Sequence, residues 1–449
     1  MKSRRYISLA AALLLVLCAV FSLSSCMSAI SAIIDAVGAP DLNDSDGGGA
    51  EGEGTASSPD NGGNSGEGGG IDLGEWEDAY LPDREENAAI ADGLTSRSRA
   101  VLSSVVIRAD FEVSDSIDLG GYYYDTQTRP HTSCGSGVIH TLNRESGDAY
   151  IITNFHVVYA KGATTDNGIS DDISVYLYGQ ESEDYAIPAT FVGGSLNYDI
   201  AVLRVDKSNI LRNSCALAAT LGSSREVNIF DEVYAIGNPE AYGMSITEGI
   251  VSVESESLAM TGADGKTPLS LRVMRVSAAI NTGNSGGGLY DTEGKLVGIV
   301  VAKRTGSDID NIAYAIPIDL ASALVDNILR NCDGVMKTSV YRCYLGIELT
   351  AAVKGLVIDP ETEEIIKREE VEVHKINDNC IVTEGIVTGD VITAITVDGV
   401  RTEVSRIHHV IDSMLYAEVG SEVTLELLRG TEKLTVTVTV PESALTEIK

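Results

Sequence analysis

Apolar positions along this chain fall into three regimes. The first is one unbroken run, Leu9-Ala-Ala-Ala-Leu-Leu-Leu-Val-Leu-Cys-Ala-Val-Phe21, with Lys2, Arg4 and Arg5 before it and Leu23-Ser-Ser-Cys26 after it. The second, from about Gly38 to Asn87, has few apolar residues and is built from Gly, Ser, Asp and Glu. From Ala88 onward the third regime consists of short apolar runs separated by Gly, Asn and Asp. Ser104-Val-Val-Ile107, Ala149-Tyr-Ile-Ile-Thr153, Ile173-Ser-Val-Tyr-Leu-Tyr178, Ala201-Val-Leu-Arg-Val205, Glu232-Val-Tyr-Ala-Ile236 and Leu296-Val-Gly-Ile-Val-Val301 are examples. Runs this short, rich in β-branched residues and bounded by turn formers, predict antiparallel strands in sandwiches or barrels. Helical spacing is scarce. Ala88 to Leu102 can form a short helix, and Ile318 to Leu329 is an amphipathic stretch placed to close the domain. After Asn331-Cys-Asp-Gly334 a smaller unit begins. It has strand-like Val371–Ile376, Asp390–Ile395, Val423–Leu428 and Leu434–Val440, with a helix at Ser405 to Leu415. The expected fold is therefore mainly β.

The first regime bears on location. A positive n-region, an apolar core shorter than the roughly 20 residues of a spanning helix, and small residues before Cys26 have the layout of a secretory signal peptide. Leu23-Ser-Ser-Cys26 also resembles the bacterial lipobox, which implies cleavage before Cys26 and diacylation of its sulfur. Two acyl chains hold a protein at a membrane where one holds it only marginally. The alternatives are an uncleaved anchor, or a plain signal peptide with a chance cysteine. The second regime cannot bury enough surface to offset its ordering entropy and reads as a disordered acidic tether. The expected organisation is a lipoprotein signal peptide at 1–25, a tether at 26–90, a first folded domain at 91–332 and a second at 340–443.

The chain has 449 residues and a formal net charge of −34. That balance excludes nucleic acid as a partner, since phosphate binding needs clustered Lys and Arg. Much of the acid lies in the tether. Cys134, Cys215, Cys332, Cys343 and Cys380 show no paired spacing, so neither a disulfide framework nor a zinc site is expected. No cofactor and no metal are implied.

Candidate chemistry centres on Ser285, in Asn281-Thr-Gly-Asn-Ser-Gly-Gly-Gly288. Glycines allow tight positive-φ turns whose N–H groups converge on one point. The turn Gly283, Asn284, Ser285 is the expected oxyanion hole, with the amides of Gly283 and Ser285 as donors. A serine hydroxyl needs a neighbouring base. Thr153-Asn-Phe-His-Val-Val158 puts His156 at the end of an expected strand, a context that His131 and His140 lack. Asn197-Tyr-Asp-Ile-Ala-Val-Leu203 puts Asp199 directly before another, where a carboxylate would orient the imidazole. The order His156, Asp199, Ser285 is that of the chymotrypsin arrangement.

Taken together, Gly135-Ser-Gly-Val-Ile139, Thr153–Val158, Asp199-Ile-Ala-Val-Leu203, Ala235-Ile-Gly-Asn-Pro239, Thr247-Glu-Gly-Ile-Val-Ser252, Ala278–Gly287 and Ala313-Tyr-Ala-Ile-Pro317 resemble the HtrA (DegP/DegS-like) serine proteases from Ala100 to about Arg330. The resemblance implies a chymotrypsin-like double β-barrel, a His156–Asp199–Ser285 triad and a homotrimer. This chain departs from the pattern at Thr282 and Gly288, where the family usually has Pro, and at Phe155, usually polar. Asn284 precedes the nucleophile where many secreted digestive relatives have Asp, so activation by an ion pair to a new N-terminus is not expected. Ala279, near the expected floor of the specificity pocket, argues against Lys/Arg preference and for small or medium aliphatic side chains.

The C-terminal unit resembles a bacterial PDZ domain, with Tyr344-Leu-Gly-Ile347 as its carboxylate-binding loop and Gly385-Ile-Val-Thr-Gly-Asp-Val-Ile392 as a later landmark. Exposed amides around Leu345, Gly346 and Ile347 would receive a terminal carboxylate while the peptide adds as a strand. The acidic segment from Ala109 to Thr132 falls where the family carries a regulatory loop. The expected protein is a membrane-anchored, extracytoplasmic serine endopeptidase acting on misfolded or signalling proteins. The rival expectation is a non-catalytic chaperone or adaptor using the PDZ groove.

Overall fold

A computed structural model describes residues 94–118, 124–238, 243–301, 312–332, 340–358, 365–382 and 384–448. The expected signal peptide, Cys26 and the whole of the tether lie outside the described residues. The first described element is helix α1 (Ser96–Leu102), whose first turn is capped by Thr95: its Oγ1 accepts the Ser98 N–H at 3.3 Å. Six strands then close the first barrel: β1 (Ser104–Asp118), β2 (Tyr124–Asn143), β3 (Asp148–Thr153), β4 (Asp172–Leu177), β5 (Ile187–Ser195) and β6 (Ile200–Val205), in the order β1-β2-β3-β6-β5-β4. One-turn helix α2 (Phe155–Val158) follows β3, and α3 (Asn209–Asn213) follows β6. A second closed barrel comprises β7 (Glu232–Gly237), β8 (Ser245–Thr261), β9 (Pro268–Val276), β10 (Gly288–Asp291), β11 (Leu296–Val301) and β12 (Ala313–Pro317), in the order β10-β11-β12-β9-β8-β7. Closure leaves neither sheet an open edge.

The apolar runs explain the cores. Val105, Ile107 and Ala109 of β1 alternate inward and are fully buried with Ile151 and Leu203. β11 is buried at every position, as expected of an uninterrupted apolar strand. Each such Val, Leu or Ile contributes about 1.5–3 kcal/mol relative to exposure. In the segment from Ala109 to Thr132, read above as a loop, the described residues instead extend the pairing of β1 with β2. Its ladder continues from Asp110↔Thr132 to Asp118↔Tyr124. The acidic composition hid a period of two: Phe111 and Val113 turn into the barrel core, and Glu112 between them faces solvent.

Helix α4 (Ile318–Asn331) matches the amphipathic expectation. It buries Ile318, Leu320, Ala321, Leu324, Val325 and Ile328. That face packs on β11 and β12 of one barrel and on β5 and β6 of the other, so α4 ties the two together. Its Asn327 continues into the C-terminal unit. The Asn327 Nδ2 donates to Tyr341 O (2.8 Å) and Leu415 O (2.7 Å), and its Oδ1 accepts the Tyr341 N–H (2.8 Å).

The C-terminal unit contains β13 (Val340–Cys343), β14 (Ile347–Ile358), β15 (Ile365–Ile376), β16 (Val391–Val397), β17 (Val400–Glu403), helix α5 (Ile407–Ser413), β18 (Glu422–Arg429), β19 (Glu432–Thr439) and β20 (Leu445–Ile448). Its main sheet runs β14-β15-β16-β18-β19, with β17 paired to β16, and its core gathers Val371, Val373, Ile395, Val423 and Leu425. β20 returns to pair with β13, so the unit continues past the boundary expected at 443. Two ion-pair groups join it to the second barrel. Arg272 of β9 pairs with Asp412 of α5. Arg406, at the start of α5, pairs with Glu254 of β8 (2.7 Å) and Glu369 of β15 (3.2 Å).

Candidate active site

His156 occupies the second position of α2, immediately beyond β3. Asn154 begins that turn. It is fully buried, and its Nδ2 donates to the main-chain oxygen of Asp199 at 2.8 Å. Asp199 sits in the tight connection from β5 to β6 with φ +52°. Asp and Asn enter this left-handed region far more readily than bulkier residues. The bend turns the Asp199 carboxylate back onto α2. Its Oδ1 accepts the His156 main-chain N–H at 3.0 Å, while His156 Nδ1 lies 2.8 Å from Oδ2 and 3.0 Å from Oδ1. The Asp199 side chain is 5% exposed against 25% for His156. An anion so enclosed favours the tautomer with the proton on Nδ1, and leaves Nε2 as the acceptor on the far edge of the ring.

Ser285 is buried in a turn between Gly283 (φ +100°) and Gly286 (φ +83°). The turn is held by main-chain bonds. Asn284 N–H donates to Asn281 O (3.1 Å), Gly286 N–H to Val300 O (2.9 Å) and Gly287 N–H to Asn284 O (3.0 Å). The need for glycine at 286 is steric as well as conformational. A Cβ there would lie 2.2 Å from Ser136 O and 2.3 Å from Thr153 Oγ1. Asn284, expected in the oxyanion hole with Gly283 and Ser285, has its amide engaged by Asn281 O and so has no N–H to offer there. Its side chain is buried, and its Oδ1 accepts no hydrogen bond among the described residues.

The departures at 288 and 155 have local explanations. A Cβ on Gly288 would lie 2.4 Å from the ring of Tyr290. Tyr290 is fully buried, with its hydroxyl 2.9 Å from Ser103 Oγ and 3.1 Å from Ser104 Oγ. Phe155 stacks on Tyr159 (centroids 5.4 Å apart) and meets Phe191 edge-on (6.3 Å), an apolar anchor for the turn that carries His156. Thr282 is exposed. Ala279 is also exposed and brings no charge; its carbonyl accepts from Thr247 Oγ1 at 2.9 Å, while Ala278 beside it is buried.

At the second candidate site Gly346 has φ +79°, and a Cβ on it would stand 2.4 Å from Cys380 Cα. The carbonyls of Leu345 and Gly346 accept from Ile381 (3.0 Å) and Asn377 (2.9 Å). The Tyr344 amide donates to Ala444 O at 2.9 Å, so of the four residues expected to bind a carboxylate Tyr344 has no amide to offer. β14, which starts at Ile347, is the outer strand of its sheet. Beside the loop, Arg342 lies 4.4 Å over the Tyr344 ring and 2.9 Å from the Tyr198 hydroxyl. A cleft of about 400 Å³ opens there, lined by Tyr198, Leu269, Arg342, Tyr344, His408 and Ile411.

Sequence reasoning missed several residues that shape these sites: Asn154, Ser136, Asn238 and the Arg272–Asp412 pair. For Asn154, Ser136 and Asn238 the signal was present, since all three lie inside motifs quoted above. The ionic pair joins residues 140 positions apart and has no signature along the chain.

Residues 135–299 match a family model described as a trypsin-like peptidase domain. The chain is 32% identical over 267 residues to the serine protease Do-like HtrA of Bacillus subtilis, covering 59% of this chain and 53% of that protein. It is 32% identical over 312 residues to the probable periplasmic serine endoprotease DegP-like of Halomonas elongata, covering 69% of this chain and 56% of that one. The chain thus spans about half the length of these curated relatives. A solved structure of the HtrA-type protease AlgW with decapeptide is 27% identical, with a TM-score of 0.45, covering 77% of this chain and 97% of that chain. Residues 135–299 thus carry a trypsin-like peptidase domain, and the chain is similar to serine proteases of the HtrA type.

Proposed function

We propose that this protein is a serine endopeptidase in which Ser285 attacks the scissile carbonyl, His156 takes the hydroxyl proton and later delivers it to the leaving amine, and Asp199 orients the imidazole. The observation that carries this reading is the enclosed His156–Asp199 pair, 2.8 Å from Nδ1 to Oδ2, on a fold where Ser285 lies in a glycine turn. Attack converts the carbonyl oxygen to an oxyanion, which the amides of Gly283 and Ser285 would receive. Collapse of the tetrahedral intermediate releases the amine and leaves an acyl-enzyme that water hydrolyses by the same route. Ala279 favours small or medium aliphatic residues before the cut. Hydrolysis of casein and of peptide libraries by the full chain tests the reading. Ser285→Ala should abolish turnover, and a profile dominated by Arg would contradict the pocket assignment. Unchanged biological activity of Ser285→Ala would instead favour the adaptor role.

The C-terminal unit is proposed to bind peptide C-termini as a PDZ domain. The amides of Leu345, Gly346 and Ile347 would receive the carboxylate, and the outer edge of β14 would pair with the peptide backbone. The supporting observation is that β14 ends its sheet while α5 packs beside it. Activation of proteolysis by hydrophobic C-terminal peptides, and its loss when the peptides are amidated, tests this. Extracytoplasmic placement through a diacylated Cys26, and a homotrimeric assembly, complete the proposal. Fatty-acid labelling lost in Cys26→Ala and light scattering of detergent-solubilised protein test them in turn.

A further inference from the structure

Ser136, the middle residue of Gly135-Ser-Gly137, uses all of its hydrogen-bonding atoms at the nucleophile turn. Its main-chain N–H donates to Ser285 O at 2.8 Å, and its main-chain O accepts from Thr153 Oγ1 at 2.7 Å. Its Oγ donates to Gly283 O at 2.7 Å and accepts the Asn238 N–H at 2.9 Å. The residue is 1% exposed. It therefore joins the strand leading to His156, the end of β7 and both sides of the nucleophile in one small volume.

The surrounding glycines serve this contact. A Cβ on Gly237 would stand 3.0 Å from Ser136 Oγ, one on Gly287 3.2 Å from Ser136 Cβ, and one on Gly286 2.2 Å from Ser136 O. On the other side, a Cβ on Gly135 would lie 3.1 Å from Ser285 O. Any of these would push Ser136 and the turn apart.

We infer that Ser136 is a positioning residue of the oxyanion hole. Its hydroxyl holds Gly283 O and its main-chain N–H holds Ser285 O, so the stretch that carries both proposed donors is fixed at each end, with Gly283 at φ +100°. Without the hydroxyl, Gly283 O and Asn238 N–H both lose a buried partner, and Gly283, which has no Cβ to oppose the change, relaxes to another φ and ψ. Its N–H then turns away from the point that the Ser285 N–H faces, while Ser285, His156 and Asp199 stay in place. The inference rests on the proposed role of Ser285.

The test uses the full chain in detergent, a chromogenic peptide with alanine or valine before the cut, and active-site titration of each variant. Ser136→Ala should lower kcat per titrated site by about 10²-fold, the range for loss of one oxyanion donor, with KM within about twofold. The Ki of a peptide trifluoromethyl ketone, whose hemiketal oxygen occupies the oxyanion position, should rise in parallel. Ser170→Ala is the control: it removes another buried hydroxyl, one that bridges Asp110 O and the Asp172 N–H, and should lower Tm without changing kcat. A Ser136→Ala enzyme with kcat per site within threefold of wild type overturns the inference while leaving Ser285 as nucleophile. A wild-type enzyme that neither turns over nor titrates overturns both. If Ser136→Ala does not fold, Ser136→Cys, which keeps a weaker donor, should show an intermediate kcat and weakened ketone binding; full activity there overturns the inference equally.

Discussion

Asp199→Asn isolates orientation of the imidazole from everything else the aspartate does. The carboxylate serves two donors: Oδ1 takes the His156 main-chain N–H at 3.0 Å, and Oδ2 faces Nδ1 at 2.8 Å. Asparagine offers one oxygen and one NH2. The main-chain N–H is always a donor, so the amide oxygen must take the Oδ1 position. The NH2 then stands where Oδ2 was, 2.8 Å from Nδ1. Two donors cannot share that contact, so the ring proton moves to Nε2, and Nε2 can no longer accept the Ser285 proton. The opposite amide orientation leaves a buried N–H against a donor, at about 1–3 kcal/mol. The expected loss in kcat is about 10⁴-fold, or about 5.5 kcal/mol at 1.36 kcal/mol per tenfold. Stability should barely change, because Asn tolerates φ +52° as well as Asp does and the bond from Asn154 reaches the main chain, which is unaltered. The assay is steady-state peptide hydrolysis alongside thermal unfolding. Activity within tenfold of wild type would refute the tautomer argument, as would a loss that merely follows a large drop in Tm.

Three further outcomes are expected. Gly288→Ala should destabilise by about 1–3 kcal/mol through the 2.4 Å approach to Tyr290, and combining it with Tyr290→Leu should recover part of that loss; strictly additive urea-unfolding energies would contradict the contact. Gly286→Ala should abolish activity and lower Tm, since its Cβ meets Ser136 O and Thr153 Oγ1 at a backbone angle suited to glycine; wild-type turnover would refute the packing argument. Contact between α5 and the second barrel should weaken as pH falls below about 6.5, read by energy transfer between labels on the two units. His408 and His409, pushed down to about 2 and about 4 by burial and by Arg225, Arg272 and Arg406, gain protons on separation. Asp412, raised to about 6 by burial that outweighs the opposing pull of Arg272, loses one, and the two histidines outweigh it, with Glu254, Asp319, Lys367 and Glu369 also facing the contact. A contact that tightens on acidification would refute the sign.

What could be read along the chain was whatever repeats locally. Apolar runs bounded by turn formers became the barrel strands, and the amphipathic stretch at Ile318 became α4, because burial of one face is written in the spacing of neighbours. Ser285, His156 and Asp199 were legible as residue types in characteristic settings, and the structure brings His156 and Asp199 within 2.8 Å. The arm from Ala109 to Thr132 was misread because its charges drew attention from Phe111 and Val113, whose inward alternation decides the pairing. Contacts across large separations left no trace in sequence: Ser136 meets Gly283 from 147 positions away. Yet the glycines at 135, 237, 286 and 287 do record that meeting indirectly. Each is a place where a side chain would displace Ser136 or the turn it holds. Only Gly286 of the four has a positive φ. At the other three the reason for glycine is room, so the density of glycine around a nucleophile measures how closely its supporting strand must approach.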